Sequence, residues 1–397
     1  MTPAARTQAA IELLDQIITA ARVGGAAADT LIARYFATRR YAGSKDRRTV
    51  RELAYAAIRL CGEMPASGRT AMLALANTDP EVAGHFTGDG HGPAPVGAGD
   101  VSATVGTTPA WLGEALAASG IDEAERAALI SRAPLDVRIN RLRGETGLID
   151  GAEPVPGLPD ALRLPSGTNV DSLEAWKTGA IEVQDAGSQI VTLAAHAAPG
   201  HRIVDLCAGA GGKTLALAAA MANTGEILAT DSDRARLSRL TPRAERAGVS
   251  IVTTRLLDPN REAEALIDWA EQADCVLIDA PCSGTGTWRR NPEARWRLTP
   301  DRLARLVETQ ARLIDVGAAL VKPGGALVYI VCSLLDAEGA GQAARFLADN
   351  PDWRAEPLTL PAGRTHGAGT RLTPAHDDTD GFFVARFVRV AAHRVLL

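Results

Sequence analysis

From Ile190 onward, short aliphatic runs alternate with helical stretches: Ile203-Val204, Ile227-Leu228-Ala229, Ile251-Val252, Cys275 to Ile278 and Ala326 to Val331. This alternation constrains the fold more than any other feature. Strands alternating with helices bury both faces in a parallel sheet covered by helices, read here as an open, mostly parallel one. In such sheets ligands bind beyond the carboxyl ends of the strands, so chemistry is sought in the residues that follow each run.

The first strand ends in Asp205-Leu206-Cys207-Ala208-Gly209-Ala210-Gly211-Gly212-Lys213-Thr214, a glycine-rich turn opening a helix near Lys213. Small residues let the backbone approach a ligand closely. Asp231 follows the second strand, where a carboxylate can accept both hydroxyls of a ribose, and Asp258 follows the third. Together these predict a nucleoside site, with a dinucleotide oxidoreductase as the rival until the last two strand ends are read. The fourth ends Asp279-Ala280-Pro281-Cys282-Ser283-Gly284, and the fifth ends Cys332-Ser333-Leu334. One cysteine at a strand end is ordinarily a small packed hydrophobe. Two on adjacent functional loops, one beside an Asp-Ala-Pro turn, point to thiol chemistry. Cys61, Cys207 and Cys275 are read as packing thiols, with only the Cys207 backbone facing a ligand.

The first part of the chain differs. Apolar residues from Ala9 to Leu60 recur at helical spacing, and residues 1–60 hold ten Lys or Arg against five Asp or Glu although the whole chain carries −5. The connector from Arg39 to Arg48 crowds cations around a Gly-Ser turn, making Arg40, Lys45 and Arg48 candidates for phosphate contact. Residues from about 87 to 100 are rich in Gly and Pro and read as a flexible linker, within an irregular loop from 62 to 108. Short extended runs between Leu135 and Val183 suggest a small α+β segment. The expected domains are therefore 1–130, helical with a basic, phosphate-contacting surface; 131–185, an α+β bridge; and 186–397, the α/β unit that carries the chemistry. No run reaches the roughly 18 apolar residues that cross a bilayer, and no export signal is visible at the start. Five widely spaced cysteines without a CxxC pair predict neither disulfide nor metal site. A cytoplasmic monomer is the default expectation.

Taken together, DLCAGAGGKT at 205–214, DAPCSGTGTWRRNPEARW at 279–296, VKPGG at 321–325, Tyr329 through Ser333, VQDAGSQ at 183–189 and DGFF at 380–383 resemble the Sun/Nop RNA cytosine-5 methyltransferases, and within them the bacterial RsmB (Fmu) branch. The resemblance implies a Rossmann-like class I methyltransferase domain, an α+β bridge and a NusB-like all-α N-terminal domain. It implies S-adenosylmethionine as cofactor, held by the backbone of Cys207, Ala208, Gly209, Ala210, Gly211, Gly212 and Lys213, with Asp231 on the ribose, Asp258 on the adenine and Asp279 nearby. It makes Cys332 the nucleophile that adds to carbon 6 of cytosine, Cys282 the helper in product release and Asp279 the acid at ring nitrogen 3. The partner would be RNA, 16S rRNA foremost, at an unpaired cytosine. Arg289, Arg290 and Arg295 are expected to hold RNA phosphates, and Trp288 and Trp296 either stack on bases or lie buried. After Cys332 the family's Pro, Glu and Asn-Glu run is only partly kept in Leu335 to Ala340, so Glu338 receives no catalytic task. Rival readings are a tRNA cytosine-5 methyltransferase, a DNA enzyme using Cys282, a small-molecule methyltransferase and a non-catalytic ribosome-assembly or antitermination factor.

Overall fold

A computed structural model describes residues 1–144 and 149–391. Positions 145–148 of the expected bridge and 392–397 of the expected catalytic domain lie outside the described residues. The chain divides into two compact units, one of Met1–Arg132 with Thr287–Pro300, the other of Ala133–Gly286 with Asp301–Leu397.

The first unit is helical. Its main helices are Pro3–Arg22, Ala28–Ala37, Ser44–Leu60 and Gly68–Ala76, followed by the shorter Ala110–Ala118 and Glu123–Leu129. The apolar stripes of the first, third and fourth meet in a core of Leu13, Leu14, Ile17, Ile18, Val50, Ile58 and Met72, all fully or almost fully buried. Capping marks the starts: the Thr2 hydroxyl accepts the Ala5 N–H, and Ser67 and Thr70 form a reciprocal capping box. The 87–100 segment, expected to be a flexible linker, has no regular structure but is fastened. Arg69 grips Asp100 at 2.6 Å and donates to the Ala94 and Pro95 carbonyls.

The second unit contains two sheets. The smaller one takes the order β2-β3-β1-β4, with β1 Leu135–Ile139, β2 Glu153–Pro154, β3 Ala161–Leu164 and β4 Ile181–Val183. The larger sheet begins with β5 Arg202–Asp205, β6 Glu226–Asp231, β7 Val252–Leu256, β8 Ala273–Asp279 and β9 Val321–Val331. These five pair in parallel in the order β9-β8-β5-β6-β7. The predicted sheet is present but is mixed, because four later strands add antiparallel. These are β10 Trp353–Glu356, β11 Arg364–His366, β12 Gly369–Leu372 and β13 Phe382–Arg389, with β13 pairing along β9. Val276, Leu277, Ile278, Val328, Tyr329 and Ile330 are wholly buried, as strands covered on both faces must be. The order places the ends of β5, β8 and β9 side by side, so three chemically marked loops converge. Among the described residues, no helix is long and apolar enough to cross a membrane and no cluster of three or more potential ligands suits a metal ion.

Candidate active site

The loop after β5 is built for close approach. Gly211 sits at φ +88° as the residue before the helix Gly212–Ala220, a backbone region that L side chains rarely adopt, and a Cβ there would collide with Leu240. Cross-links to β6 hold the loop: the Ala208 N–H donates to the Thr230 carbonyl at 2.8 Å, and the Thr230 hydroxyl to the Leu206 carbonyl at 2.7 Å. Asp231, at the end of β6, is buried; one carboxylate oxygen accepts the Gly209 N–H at 2.8 Å and the other the Asp233 N–H at 2.7 Å. A carboxylate has about four acceptor positions, so capacity remains for a diol. Asp258 lies just past β7 and is exposed. The Asp205 carboxylate is wholly buried, with one oxygen accepting the Thr214 hydroxyl at 2.6 Å and the other buried without a hydrogen-bond partner. Burial pushes its carboxyl up to about 7. A glycine cradle, a buried carboxylate with spare acceptors and an orphaned buried oxygen fit a polar nucleoside group.

Asp279 closes β8 and receives the buried Lys213 ammonium at 2.7 Å. Burial works against that cation, but contact with Asp279 outweighs it and holds the Lys213 pKa above the ordinary lysine value. The ammonium also lies 5.4 Å from the Phe382 ring centroid. Two loops then bring the predicted thiols together, with Cys282 Sγ 3.3 Å from Cys332 Sγ and both side chains partly exposed. The hydrogen bond with Cys332, burial and the neighbouring Glu338 carboxylate push the Cys282 thiol well above its usual range, so Cys282 keeps its proton. The other three cysteines behave as packing groups. Burial raises Cys61 to about 11 and Cys275 to about 12, and holds Cys207 well above the thiol range.

Sequence reasoning missed Glu338. Its side chain is fully buried and accepts the Ser283 N–H at 2.8 Å, the Gln310 side-chain amide at 2.9 Å, the Ser333 hydroxyl at 2.5 Å and the Ser283 hydroxyl. Nothing in Leu335-Asp336-Ala337-Glu338-Gly339-Ala340 marks this, because apart from Ser333 the partners come from distant positions. Asp336 pairs with Arg371 and lies 2.6 Å from His366 Nε2, tying the loop after Cys332 to the β11–β12 hairpin.

The arginines after Cys282 require a correction. Arg295 was expected to hold RNA phosphates but is fully buried within the helical unit. Its guanidinium donates to the carbonyls of Pro292, Ile58 at 2.6 Å and Cys61 at 2.8 Å. It caps the carbonyl end of the helix Ser44–Leu60, whose last C=O groups have no partner within the helix. Arg289 is buried as well and donates to the Arg132 carbonyl at 3.2 Å, so neither guanidinium is presented to a phosphate. Glu293 accepts the Ala28 N–H at 3.0 Å, capping a second helix. Trp288 and Trp296 are buried indoles, which settles their alternative in favour of packing. Arg290 is half-buried, whereas Arg40, Lys45 and Arg48 are exposed as expected.

Residues 191–388 match the family described as 16S rRNA methyltransferase RsmB/F. The chain is 36% identical over 267 residues to a probable ribosomal RNA small subunit methyltransferase B of Synechocystis, covering 63% of this chain and 59% of that protein. It is 34% identical over 296 residues to ribosomal RNA small subunit methyltransferase B of Xanthomonas campestris, covering 71% of this chain and 67% of that protein. The matches thus span about 60% of the length of the Synechocystis relative and two thirds of the Xanthomonas one. The crystal structure of PH0851 aligns over 98% of this chain and 99% of its own, at TM-score 0.76 and 25% identity. A methyltransferase homologue from Pyrococcus horikoshii aligns over 71% of this chain and 100% of its own, at TM-score 0.59 and 26% identity. With a glycine cradle at β5, an Asp279–Lys213 pair at β8 and two adjoining thiols, this chain belongs to the RsmB/F family of methyltransferases.

Proposed function

We propose that this chain is an S-adenosylmethionine-dependent RNA (cytosine-5)-methyltransferase that acts on an unpaired cytosine of 16S rRNA. The observation that carries the reading is the pair of thiols 3.3 Å apart on neighbouring strand-end loops. S-adenosylmethionine, when bound, supplies an electrophilic methyl group. The backbone of Cys207 to Lys213, with Asp231 and Asp258, would hold it, and the glycine cradle and the spare acceptor capacity of Asp231 support that assignment.

Carbon 5 of cytosine is a poor nucleophile until a group adds to carbon 6 and converts the ring to an enamine. In this reading the Cys332 thiolate forms the bond to carbon 6. Asp279, oriented by Lys213, is set against ring nitrogen 3, where the proton gained on addition is held. Once carbon 5 carries the methyl group, its proton passes to a water beside Cys282, the electron pair of that C–H bond restores the ring double bond, and the bond from carbon 6 to sulfur breaks, returning the Cys332 thiolate. Cys282, which keeps its proton, assists that release. Residues 1–130 would form a NusB-like RNA-binding domain, 131–185 a bridge and 186–397 the catalytic domain, in a monomeric cytoplasmic protein. Arg40, Lys45, Arg48 and Arg290 remain the proposed phosphate contacts.

The test is incubation with tritiated S-adenosylmethionine and unmodified small-subunit rRNA, scoring 5-methylcytosine and denaturant-resistant protein–RNA adduct. Wild type is expected to make product, Cys332→Ala neither product nor adduct, and Cys282→Ala accumulating adduct. Adduct retained in Cys332→Ala but lost in Cys282→Ala reverses the two roles. Methylation of tRNA alone changes the substrate, and methylation of no RNA returns the chain to the assembly-factor reading.

A further inference from the structure

Two sulfurs that act in succession on one base must keep a fixed separation, since small displacements of reacting groups cost large factors in rate. Cys282 and Cys332 stand on separate loops, which the backbone links through the Gly286 N–H to the Cys332 carbonyl at 3.0 Å, a bond that leaves the Cys282 end of its loop untied. What ties the residues next to both cysteines is a buried polar knot. Ser283 follows Cys282, Ser333 follows Cys332, and the Glu338 carboxylate accepts from both hydroxyls and from the Ser283 N–H. The two serine oxygens lie 3.1 Å apart, and Thr285 adds a contact of 3.2 Å to Ser333 and accepts the Leu334 N–H at 2.8 Å. Gln310, fully buried on the helix Pro300–Leu320, donates to the carboxylate and to the Pro281 carbonyl, each at 2.9 Å. The Glu338 carbonyl itself accepts the Tyr329 hydroxyl of β9 at 2.6 Å. Among the described residues, the donors to this carboxylate thus come from the residues adjoining the two cysteines and from the helix that steadies the first loop.

We propose that Glu338 is a positioning residue whose buried carboxylate staples the Cys282 loop to the Cys332 loop, fixing the sulfur pair for sequential use. This rests on the thiol chemistry proposed above. The same negative charge disfavours a thiolate at Cys282, so the staple also helps keep that sulfur protonated while its neighbour attacks. A glutamine would keep the size of the side chain but offers one acceptor oxygen and turns an NH2 toward donors. At least one serine donor would lose its acceptor, and a buried unmet donor makes the loops shift.

The experiment uses the full chain with Glu338→Gln, and with Ser333→Ala and Ser283→Ala as milder breaks should the first variant fold poorly. S-adenosylmethionine affinity, single-turnover methyl transfer to small-subunit rRNA and competitive alkylation of Cys282 and Cys332 by iodoacetamide, without RNA, are measured together. The expected result is unchanged cofactor affinity, adduct formation slowed about tenfold or more, equivalent to about 1.4 kcal/mol, and a rise in alkylation of Cys282 relative to Cys332. Wild-type rates and an unaltered alkylation ratio in all three variants overturn the proposal. Loss of cofactor affinity in proportion to rate overturns it too, since that marks general damage. Failure of the underlying chemistry is seen separately, as adduct in Cys332→Ala, whereas the alkylation ratio reads the staple whichever sulfur attacks.

Discussion

Arg295→Ala separates two accounts of the segment after Cys282, and its cost can be worked from the geometry. The guanidinium donates to three well-placed carbonyls, those of Pro292, Ile58 and Cys61. Hydrogen bonds from a charged group contribute about 1.5–3 kcal/mol each, a gross gain of roughly 5–9 kcal/mol. Against this stands the cost of burying the cation, visible as a pKa lowered to about 10 from the usual 12.5, which corresponds to about 3 kcal/mol. Removing the side chain also orphans carbonyls at the end of the helix Ser44–Leu60. The net loss is expected at about 2–6 kcal/mol, the difference between that gain and that cost. For a unit of this size that lowers the melting temperature by on the order of 10 °C. Calorimetry, with hydrogen exchange to show that protection falls first in the helix Ser44–Leu60, is the assay. A shift below about 1 kcal/mol together with weakened rRNA binding would refute the structural role and restore the phosphate contact expected from sequence.

Three further outcomes are expected. The folded Asp205 carboxyl titrates near 7 against about 3.9 in the unfolded chain, so its contribution is present below the unfolded value and lost as pH rises through the folded one. Thermal unfolding should therefore find Asp205→Asn no more stable than wild type near pH 4 and more stable above pH 7, by up to about 4 kcal/mol; equal stability across that window would refute the shift. Replacing Arg40, Lys45 and Arg48 together by Ala should leave the melting temperature nearly unchanged, because all three are exposed. It should reduce the salt dependence of log K for single-stranded rRNA by about 2, with no change counting against phosphate contact. Thiols 3.3 Å apart should be bridged by diamide, which takes up the two hydrogens. Mass spectrometry should then show a Cys282–Cys332 disulfide and loss of methyl transfer, both reversed by dithiothreitol; retention of two free thiols would show that the sulfurs cannot close.

Much of the fold was legible in the chain because its signals are local. Aliphatic runs of strand length separated by helical periods specify a parallel sheet, and the glycines and acids just beyond each run lie where such a sheet places its ligands. Asp279, Cys282 and Cys332 could thus be picked out before their distances were known. The antiparallel strands β10 to β13 were not anticipated: β10, β11 and β12 run for only three or four residues, too short for a period-two signal, and β13 takes its place only when β9 offers it an edge.

The chain by itself determined the order of strands and helices and the side chains that end each strand, since propensity, periodicity and turn chemistry act between near neighbours. Only tertiary structure decided what the charged residues between them do. Arg295 turned inward because a helix end more than 200 positions earlier in the chain left carbonyls in need of donors. Glu338 became the joint between two cysteine loops because β8 and β9 pair in parallel and bring Ser283 within reach of Ser333. A buried charge takes its meaning from its partners, and those partners adjoin it only after the chain has folded.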